Sequence, residues 1–316
     1  MHQIRQMTND KSNKLINKSI KSLDKILKKD IYDKLSHIDW HDRYEKYINN
    51  ISDVNLLNTI HLPSISIIVI SWRFHPDTLG NFKILKKQHD QNYELIFVDN
   101  GAKPREFDCL TPYIDTYIRL NNNSGAYLAR NIGSLFSHAP ILFFLDDDAI
   151  PADNIIESHI NCFKKYDIIA VRGVCKPKTN NTLNQLAKHY YLGPTPFPIY
   201  ADIEGNTSYL ASTFFKAGGW DDEIRFGGGG VDLSRRLIDI EPDMRKQIYS
   251  PDPIIFHDYA TDQNHLAQKI DKQEHSRSRL RKIHPDYDDF LAHWKKLRGK
   301  EELLILKSKH LKKIKP

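Results

Sequence analysis

Residues 141–148 of the 316-residue chain read Ile-Leu-Phe-Phe-Leu-Asp-Asp-Asp, an apolar run that ends in three carboxylates. A short apolar run of this kind is typical of a strand that is buried on both faces. Adjacent carboxylates repel one another, so a cation or hydrogen-bond donors must offset the repulsion. The stretch predicts a buried strand whose carboxyl end carries Asp146, Asp147 and Asp148. An acidic turn before Pro151 is the alternative interpretation.

Similar short apolar runs precede this one and alternate with helical stretches. The sequence predicts strands at residues 65–71, 95–98 and 116–120, and helices at residues 77–88 and 125–137. Strands that alternate with helices of this length indicate βαβ units and a mainly parallel sheet, whose ligands bind beyond the carboxyl ends of the strands. The predicted fold class is α/β, with a Rossmann-like, mainly parallel sheet flanked by helices.

The composition is that of a globular protein, with 40% hydrophobic and 27% charged residues. No apolar run approaches the roughly 20 residues that cross a bilayer, and the first 20 residues lack the apolar core of a secretory signal. Cys109, Cys162 and Cys175 follow no metal-ligand spacing, which suits a reducing compartment. We therefore expect a cytoplasmic protein.

The net charge of +6 is unevenly distributed and suggests a domain plan. Residues 1–60 carry +3, residues 61–263 carry −5 and residues 264–316 carry +8. We expect a central domain at 61–263 between two basic helical extensions. Residues 11–35 have the apolar spacing of a basic amphipathic helix, which would pack on the main domain or bind an anionic membrane surface. The acidic centre argues against nucleic-acid binding.

Polar residues at the end of one predicted strand and inside one predicted helix are candidates for nucleotide binding. Asp99 and Asn100 end the strand at 95–98, where a carboxylate would accept from the edge of a base or form an Asx-turn. Arg130 lies in the helix at 125–137 and would suit a diphosphate or a base. The Gly-rich signatures of dinucleotide-binding and P-loop proteins are absent from the sequence.

In this order, these segments resemble a family 2 glycosyltransferase of the GT-A fold, over about residues 64–257. Ser71-Trp72-Arg73 is similar to the family's nucleotide loop, and residues 98–101 to its base-recognition strand end. Residues 129–133 look like its nucleotide-side helix, and residues 144–148 like its metal motif. A GT-A fold is the expectation that follows from the resemblance.

The resemblance implies a donor site for a nucleotide sugar, for which UDP is the family's usual nucleotide. It implies that Asp99 contacts the base, that Asp146 lies near the ribose and that Asp147 orients its neighbours. Asp148 would bind Mn²⁺ or Mg²⁺, and His257 resembles the family's histidine ligand, with a purely structural histidine as the alternative. The remaining residues expected at the nucleotide are Ser71, Arg73, Asn100 and Arg130.

Residues 218–237 resemble the family's acceptor-side segment, and here Trp220 and Asp221 are expected to contact the acceptor. The family has a Glu-Asp pair before its Val-Asp-Leu sequence, where this chain has Gly229 and Gly230. The missing Asp is the family's usual general base. An inverting transfer needs a carboxylate within reach of the attacking hydroxyl.

Three accounts of the missing base remain open at the level of sequence. Asp232 would supply it from the same turn, Asp222 or Asp221 would supply it from the preceding turn, or the protein is retaining or inactive.

The resemblance implies a metal-dependent, inverting transferase that moves a sugar from a nucleotide-sugar to a glycan or lipid-linked acceptor in surface polysaccharide synthesis. It would work in the cytoplasm, with its basic ends suited to the inner face of the membrane. A nucleotide-sugar-binding protein that has lost the base is the main rival, and a membrane-surface adaptor is a third hypothesis.

Overall fold

The computed structural model describes residue 25 and residues 27–88, 92–224 and 227–307. These residues form nine helices and a ten-stranded sheet. The helices are α1 (residues 27–37), α2 (Tyr44–Asn50), α3 (Thr78–Lys86), α4 (Ala126–Leu135), α5 (Ile155–Lys165), α6 (Ala211–Lys216), α7 (Gly229–Ile240), α8 (Gln263–Ile283) and α9 (Tyr287–Leu297). The strands are β1 (Ile51–Leu56), β2 (Ile65–Ser71), β3 (Tyr93–Asp99), β4 (Thr116–Leu120), β5 (Ile141–Asp146), β6 (Ile150–Pro151), β7 (Ala170–Lys176), β8 (Phe197–Pro198), β9 (Asn206–Leu210) and β10 (Gln247–Phe256).

The chain divides into two compact units, the first ending at Asn49 and the second beginning at Asn50. In the first unit, Trp40 packs edge-on against Tyr47, and the Arg43 guanidinium lies 4.6 Å from the centre of the Trp40 ring. Helix α1 corresponds to the C-terminal part of the amphipathic helix that the sequence predicts at residues 11–35. Residues 11–24 and 26 of that prediction lie outside the described residues.

The sheet belongs to the second unit and has the strand order β1-β4-β3-β2-β5-β9-β7-β10-β6, with β8 beside β10. Strands β4, β3, β2 and β5 are parallel neighbours, whereas β9 is antiparallel to β5 and β7. The parallel core confirms the βαβ pattern that the sequence predicts.

The two faces of β2 pack against different helices because successive side chains point in opposite directions. Ile67 and Val69 join the main apolar core, while Ile68 faces α4. At Gly133 of α4, an added Cβ would lie 2.8 Å from Ile68 Cγ2 and 3.0 Å from Val98 Cγ2. The absence of a side chain at Gly133 therefore lets α4 lie close to the sheet.

Strand β1 lies in a segment for which the sequence predicts an N-terminal extension ending at residue 60. Its residues mix apolar and polar side chains without strict alternation, and it pairs antiparallel with β4 at the sheet edge. The basic C-terminal segment contains α8 and α9 and belongs to the second unit.

No described helix combines the length and the apolar character needed to cross a membrane.

Candidate active site

The register of the parallel strands brings three of the predicted site residues into neighbouring positions. Ser71 pairs with Asp99 across β2 and β3, and Ile70 pairs with Asp146 across β2 and β5. All of these residues lie at carboxyl ends of parallel strands, where ligands of open α/β sheets bind. We call Asp146, Asp147 and Asp148 the acidic triplet.

Asp147 points towards the loop that follows β2 and is held there. Ser71 Oγ donates to Asp147 Oδ2 over 2.5 Å, and Asn81 Nδ2 donates to the Asp147 carbonyl over 2.9 Å. Burial raises the pKa of Asp147 to about 7, with the Ser71 hydrogen bond opposing the rise and the two neighbouring carboxylates adding to it. These contacts hold Asp147 in place, and its expected role of orienting its neighbours stays a prediction.

Asp148 and His257 lie together although 109 positions separate them in the sequence. His257 follows β10, and its Nε2 lies 3.4 Å from Asp148 Oδ2. Burial lowers the pKa of His257, but the hydrogen bond and charge of Asp148, together with Cys175, raise it overall to about 10. The same pairing keeps the pKa of Asp148 below its ordinary value despite burial.

This pair offers a carboxylate oxygen and an imidazole nitrogen, which are donors suited to a divalent cation. No group of three or more His, Cys, Asp or Glu side chains in the described parts of the chain is arranged as a metal-binding set. Two protein donors nevertheless fit a cation such as Mg²⁺ or Mn²⁺, which often takes one or two carboxylates plus substrate phosphates. The side chains of Asp148 and His257 are 38% and 26% exposed, so a ligand can reach them.

Arg130 is buried and links the acidic triplet to a carboxylate that the sequence does not single out. Its Nη2 donates to Asp146 Oδ1 over 2.7 Å, and its Nη1 donates to Glu204 Oε2 over 3.3 Å. The guanidinium carbon lies 5.4 Å from the centre of the Trp220 ring. With a side chain only 6% exposed, Arg130 orients Asp146. The direct contact of Arg130 with a nucleotide stays a prediction.

Asp99 is fully buried, and protein donors surround its carboxylate. Tyr117 Oη donates over 2.6 Å and the Ala102 N–H over 2.8 Å, and Arg119 Nη1 lies 3.2 Å from Oδ2. Asn100 donates to the Asn123 side chain and accepts from the Ser124 N–H. Both residues hold the strand end and the loop before α4, and their contact with a base stays a prediction.

Ser71 ends β2 and Arg73 follows two residues later, and the two side chains have different surroundings. Ser71 is buried, and its Oγ lies 2.7 Å from the Arg73 carbonyl oxygen and 2.5 Å from Asp147 Oδ2, so its single proton serves one of these acceptors at a time. The Arg73 side chain is exposed and its guanidinium lies 4.7 Å from the centre of the Trp72 ring. Arg73 is therefore free to approach a ligand, whereas Ser71 shapes the acidic triplet.

The structure corrects the expectation for Trp220. Its side chain is 0% exposed and stacks on Tyr127, with ring centres 5.6 Å apart, so it packs the core instead of facing an acceptor. A large aromatic side chain gains much from burial, and here the Trp220 ring packs against Tyr127 and Phe144. Asp221 and Asp222 lie in the half-buried turn that follows, where Asp221 Oδ2 is 3.1 Å from Arg279 Nη2. The roles of these two carboxylates stay predictions.

Asp232 lies in the first turn of α7 and is 2% exposed. Arg236 Nη2 donates to its Oδ2 over 2.6 Å, and His284 Nε2 lies 2.8 Å from its Oδ1. Burial acts to raise the pKa of Asp232, but His284 and Arg236 lower it overall. This environment is that of a structural carboxylate, and it does not favour the predicted role of general base.

A cavity of about 160 Å³ borders His257. Its lining includes His257, Cys175, Lys188 and Tyr190. Beside it, Lys269 Nζ donates to Tyr190 Oη over 3.2 Å and to the Tyr259 carbonyl.

Lys269 of α8 also lies within electrostatic reach of the acidic triplet. Burial lowers its pKa, and Cys175, Asp146 and Asp148 oppose that change. Neither Lys269 nor Glu204 belongs to a motif in the sequence, because contacts with distant segments bring both of them to the site.

The sequence profile of Glycosyl transferase family 2 matches residues 66–219, a segment that contains β2 to β9, Arg130 and the acidic triplet. The chain carries a family 2 glycosyltransferase domain.

Two curated relatives of the glycosyltransferase domain are uncharacterized glycosyltransferases of Haemophilus influenzae. One is 28% identical over 121 residues, which cover 36% of this chain and 48% of the relative. The other is 35% identical over 85 residues, which cover 27% of this chain and 29% of the relative. The alignments therefore span less than half the length of both relatives.

The glycosyltransferase domain also has a solved structural neighbour, GalNAc-T7, crystallised with UDP, GalNAc and Mn²⁺. The superposition has a TM-score of 0.50 at 15% identity and covers 64% of this chain and 45% of the neighbour. At this identity the likeness concerns the fold, which is the GT-A fold.

Proposed function

We propose that this protein is a metal-dependent transferase that moves a sugar from a nucleotide-sugar donor of the UDP type to a glycan or lipid-linked acceptor. The observation that carries the proposal is the approach of Asp148 to His257 beside Asp146, within a family 2 glycosyltransferase domain. UDP and Mn²⁺ are constituents of the GalNAc-T7 structure, which makes them the first donor nucleotide and metal to test here.

Asp148 and His257 are the residues that would hold the metal, whose chemistry is that of a Lewis acid for the leaving diphosphate. Asp146 would accept from the ribose, held in place by its 2.7 Å bond to Arg130. Asp99 would contact the base at the end of β3. Ser71 would keep Asp147 turned away from the donor through its 2.5 Å hydrogen bond.

The cavity beside His257 is our candidate for the position of the transferred sugar. Tyr190 and Tyr191 line it, and aromatic rings provide flat apolar surface for a sugar ring. Asn184 and Lys188 on the same lining would donate to sugar hydroxyls. Lys269 would add positive charge near the diphosphate.

We further propose inversion at the anomeric carbon and a role in surface polysaccharide or glycoconjugate synthesis at the cytoplasmic side of a membrane. Inversion requires a base that reaches the acceptor hydroxyl. The acceptor would approach past Asp221 and Asp222, which precede α7.

A thermal-shift screen of UDP-sugars with Mn²⁺, followed by measurement of UDP release, tests the proposal. A donor present at 100 times its Kd should raise Tm by about 5 °C or more. Asp148→Ala should abolish the part of this shift that depends on Mn²⁺. Asp153→Ala, which removes an exposed carboxylate, is the control and should keep the full shift.

Two outcomes would count against the proposal. An undiminished Mn²⁺-dependent shift in Asp148→Ala would contradict the metal assignment. Donor binding without release of UDP, with every acceptor tried, would instead favour a nucleotide-sugar-binding protein.

A further inference from the structure

The two glycines that open α7 have no room for side chains. A Cβ on Gly229 would lie 2.4 Å from Tyr127 Cε1, and a Cβ on Gly230 would lie 2.5 Å from the Ala201 carbonyl oxygen. The second neighbour is backbone, which cannot rotate away. A Glu-Asp pair at these two positions is therefore excluded by the surrounding structure as well as absent from the sequence.

Glu204 occupies the space in front of these glycines. The Gly230 N–H donates to Glu204 Oε1 over 3.0 Å, and Tyr127 Oη lies 2.7 Å from the same oxygen. The Gly229 N–H donates to Tyr127 Oη over 3.0 Å. Of the first two N–H groups of the 12-residue helix α7, one therefore bonds to the Glu204 carboxylate directly and the other is connected to it through Tyr127. The positive end of the helix dipole also favours a carboxylate at this position.

Glu204 is also connected to the donor side of the site. Arg130 donates to Glu204 and to Asp146, so a single guanidinium joins the two carboxylates. Next to Glu204, an added Cβ on Gly205 would lie 2.0 Å from Asp146 Oδ2, which shows how closely this loop approaches the acidic triplet.

Access distinguishes Glu204 from Asp232. The Glu204 side chain is 19% exposed, whereas that of Asp232 is 2% exposed. A carboxylate has about four acceptor positions, and Tyr127, Gly230 and Arg130 supply three donors to Glu204. One acceptor position remains for a hydroxyl group.

We propose that Glu204 is the general base of the transfer and stands in for the family's Glu-Asp pair from a different segment of the chain. This inference rests on the proposed function. The acceptor oxygen forms a bond to the anomeric carbon while the bond from that carbon to the diphosphate oxygen breaks. The bonding electron pair leaves with the diphosphate, and the acceptor's proton passes to Glu204.

Hydrolysis of the UDP-sugar that gives the largest thermal shift provides the assay, with water as acceptor. Glu204→Gln should lower kcat by roughly 10²- to 10⁴-fold while the donor's Kd changes by about twofold or less. Glu157→Gln, at an exposed position in α5, is the matched control and should keep wild-type kcat.

A second variant separates catalysis from structural support. Glu204→Ala should regain part of its turnover when sodium formate is added, since formate can replace the missing carboxylate, and Glu157→Ala should show no such response. A kcat within about threefold of wild type in Glu204→Gln would overturn the inference.

Parallel loss of donor binding and turnover in Glu204→Gln, with no formate response in Glu204→Ala, would also overturn it and leave Glu204 as a support for Arg130. Failure of the wild type to release UDP from any donor would overturn the proposed function itself.

Discussion

His159 is a fully buried histidine in α5 whose two ring nitrogens face polar side chains of β9. Its Nε2 lies 2.9 Å from Asn206 Oδ1, and its Nδ1 lies 2.8 Å from Ser208 Oγ. Burial lowers the pKa of His159 to about 4, with the Asn206 hydrogen bond opposing the change. The folded protein therefore keeps this imidazole neutral at pH values where an unfolded chain would protonate it.

His159 should make stability depend on pH between about 4 and 6.5. In this window His159 is protonated in the unfolded chain but neutral in the folded chain. The free energy of unfolding therefore rises with pH by up to about 1.4 kcal/mol per pH unit. His159→Gln keeps hydrogen-bonding atoms but does not titrate. Urea unfolding of both proteins at pH 4.5 to 7 should show a smaller slope for the variant, and equal slopes would contradict the assignment.

The predictability of single residues depended on their distance in sequence from their partners. The acidic triplet follows an apolar strand directly, so the sequence alone identifies it. Glu204 meets Tyr127 across 77 positions and Gly230 across 26, and its neighbours in sequence form no motif. Trp220 was predicted at the acceptor because the segment resembles the family, although its ring fills the core.

At the scale of elements, α8 and α9 hold α7 in place through several polar contacts. His284 follows α8 and reaches Asp232, while Asp286 before α9 lies 2.9 Å from Arg235 Nε. Ser276 Oγ donates to the Gly227 carbonyl just before α7. The C-terminal helices thereby position the glycines that contact Tyr127 and Glu204.

Asp232→Asn should reduce stability more than turnover. The change removes the negative charge of Asp232, which Arg236 and His284 contact, and breaking such a buried pair should lower the free energy of unfolding by about 3 kcal/mol at pH 7. In the wild type this contribution is present above the pKa of an unfolded Asp, about 3.9, and is lost as pH falls through the lower folded value.

Urea unfolding and UDP release measure the two effects of Asp232→Asn separately. We expect turnover to stay within a few-fold of wild type. A hundredfold loss of turnover with unchanged stability would restore Asp232 as the base.

Elements differ in how far the sequence determines them. The sequence predicts the bounds of β2 and β4 to the residue, because β2 contains the continuous apolar run 67–70 and β4 alternates between two kinds of side chain. Strand β1 reads Ile-Ser-Asp-Val-Asn-Leu, in which polar residues suggest a loop, and only its pairing with β4 makes it a strand. Local pattern thus identifies central strands more readily than edge strands.

At the scale of the whole molecule, the N-terminal boundary of the domain that holds the candidate site is open to test. A chain of residues 50–316 keeps β1 and every candidate site residue. A chain of residues 61–316 follows the boundary expected from charge but removes β1, which leaves the hydrogen-bonding edge of β4 unpaired. Exposed strand edges favour association between chains.

We expect the 50–316 chain to unfold cooperatively and to retain donor binding in the thermal-shift assay. The 61–316 chain should have a lower Tm and should aggregate at concentrations where the longer chain stays monomeric, as size-exclusion chromatography would show. Equal Tm and equal elution behaviour of the two chains would support the boundary near residue 60.

The contact between Gly229 and Tyr127 also limits which substitutions this chain can tolerate. A side chain at position 229 is blocked while the tyrosine ring lies 2.4 Å from where its Cβ would be, and a smaller residue at 127 would withdraw a hydroxyl that Gly229 and Glu204 both contact. Neither change is neutral by itself, so the two positions are epistatic. A side chain at position 229 would therefore require a compensating change at position 127, and a side chain at position 230 would also require the Ala201 backbone to move.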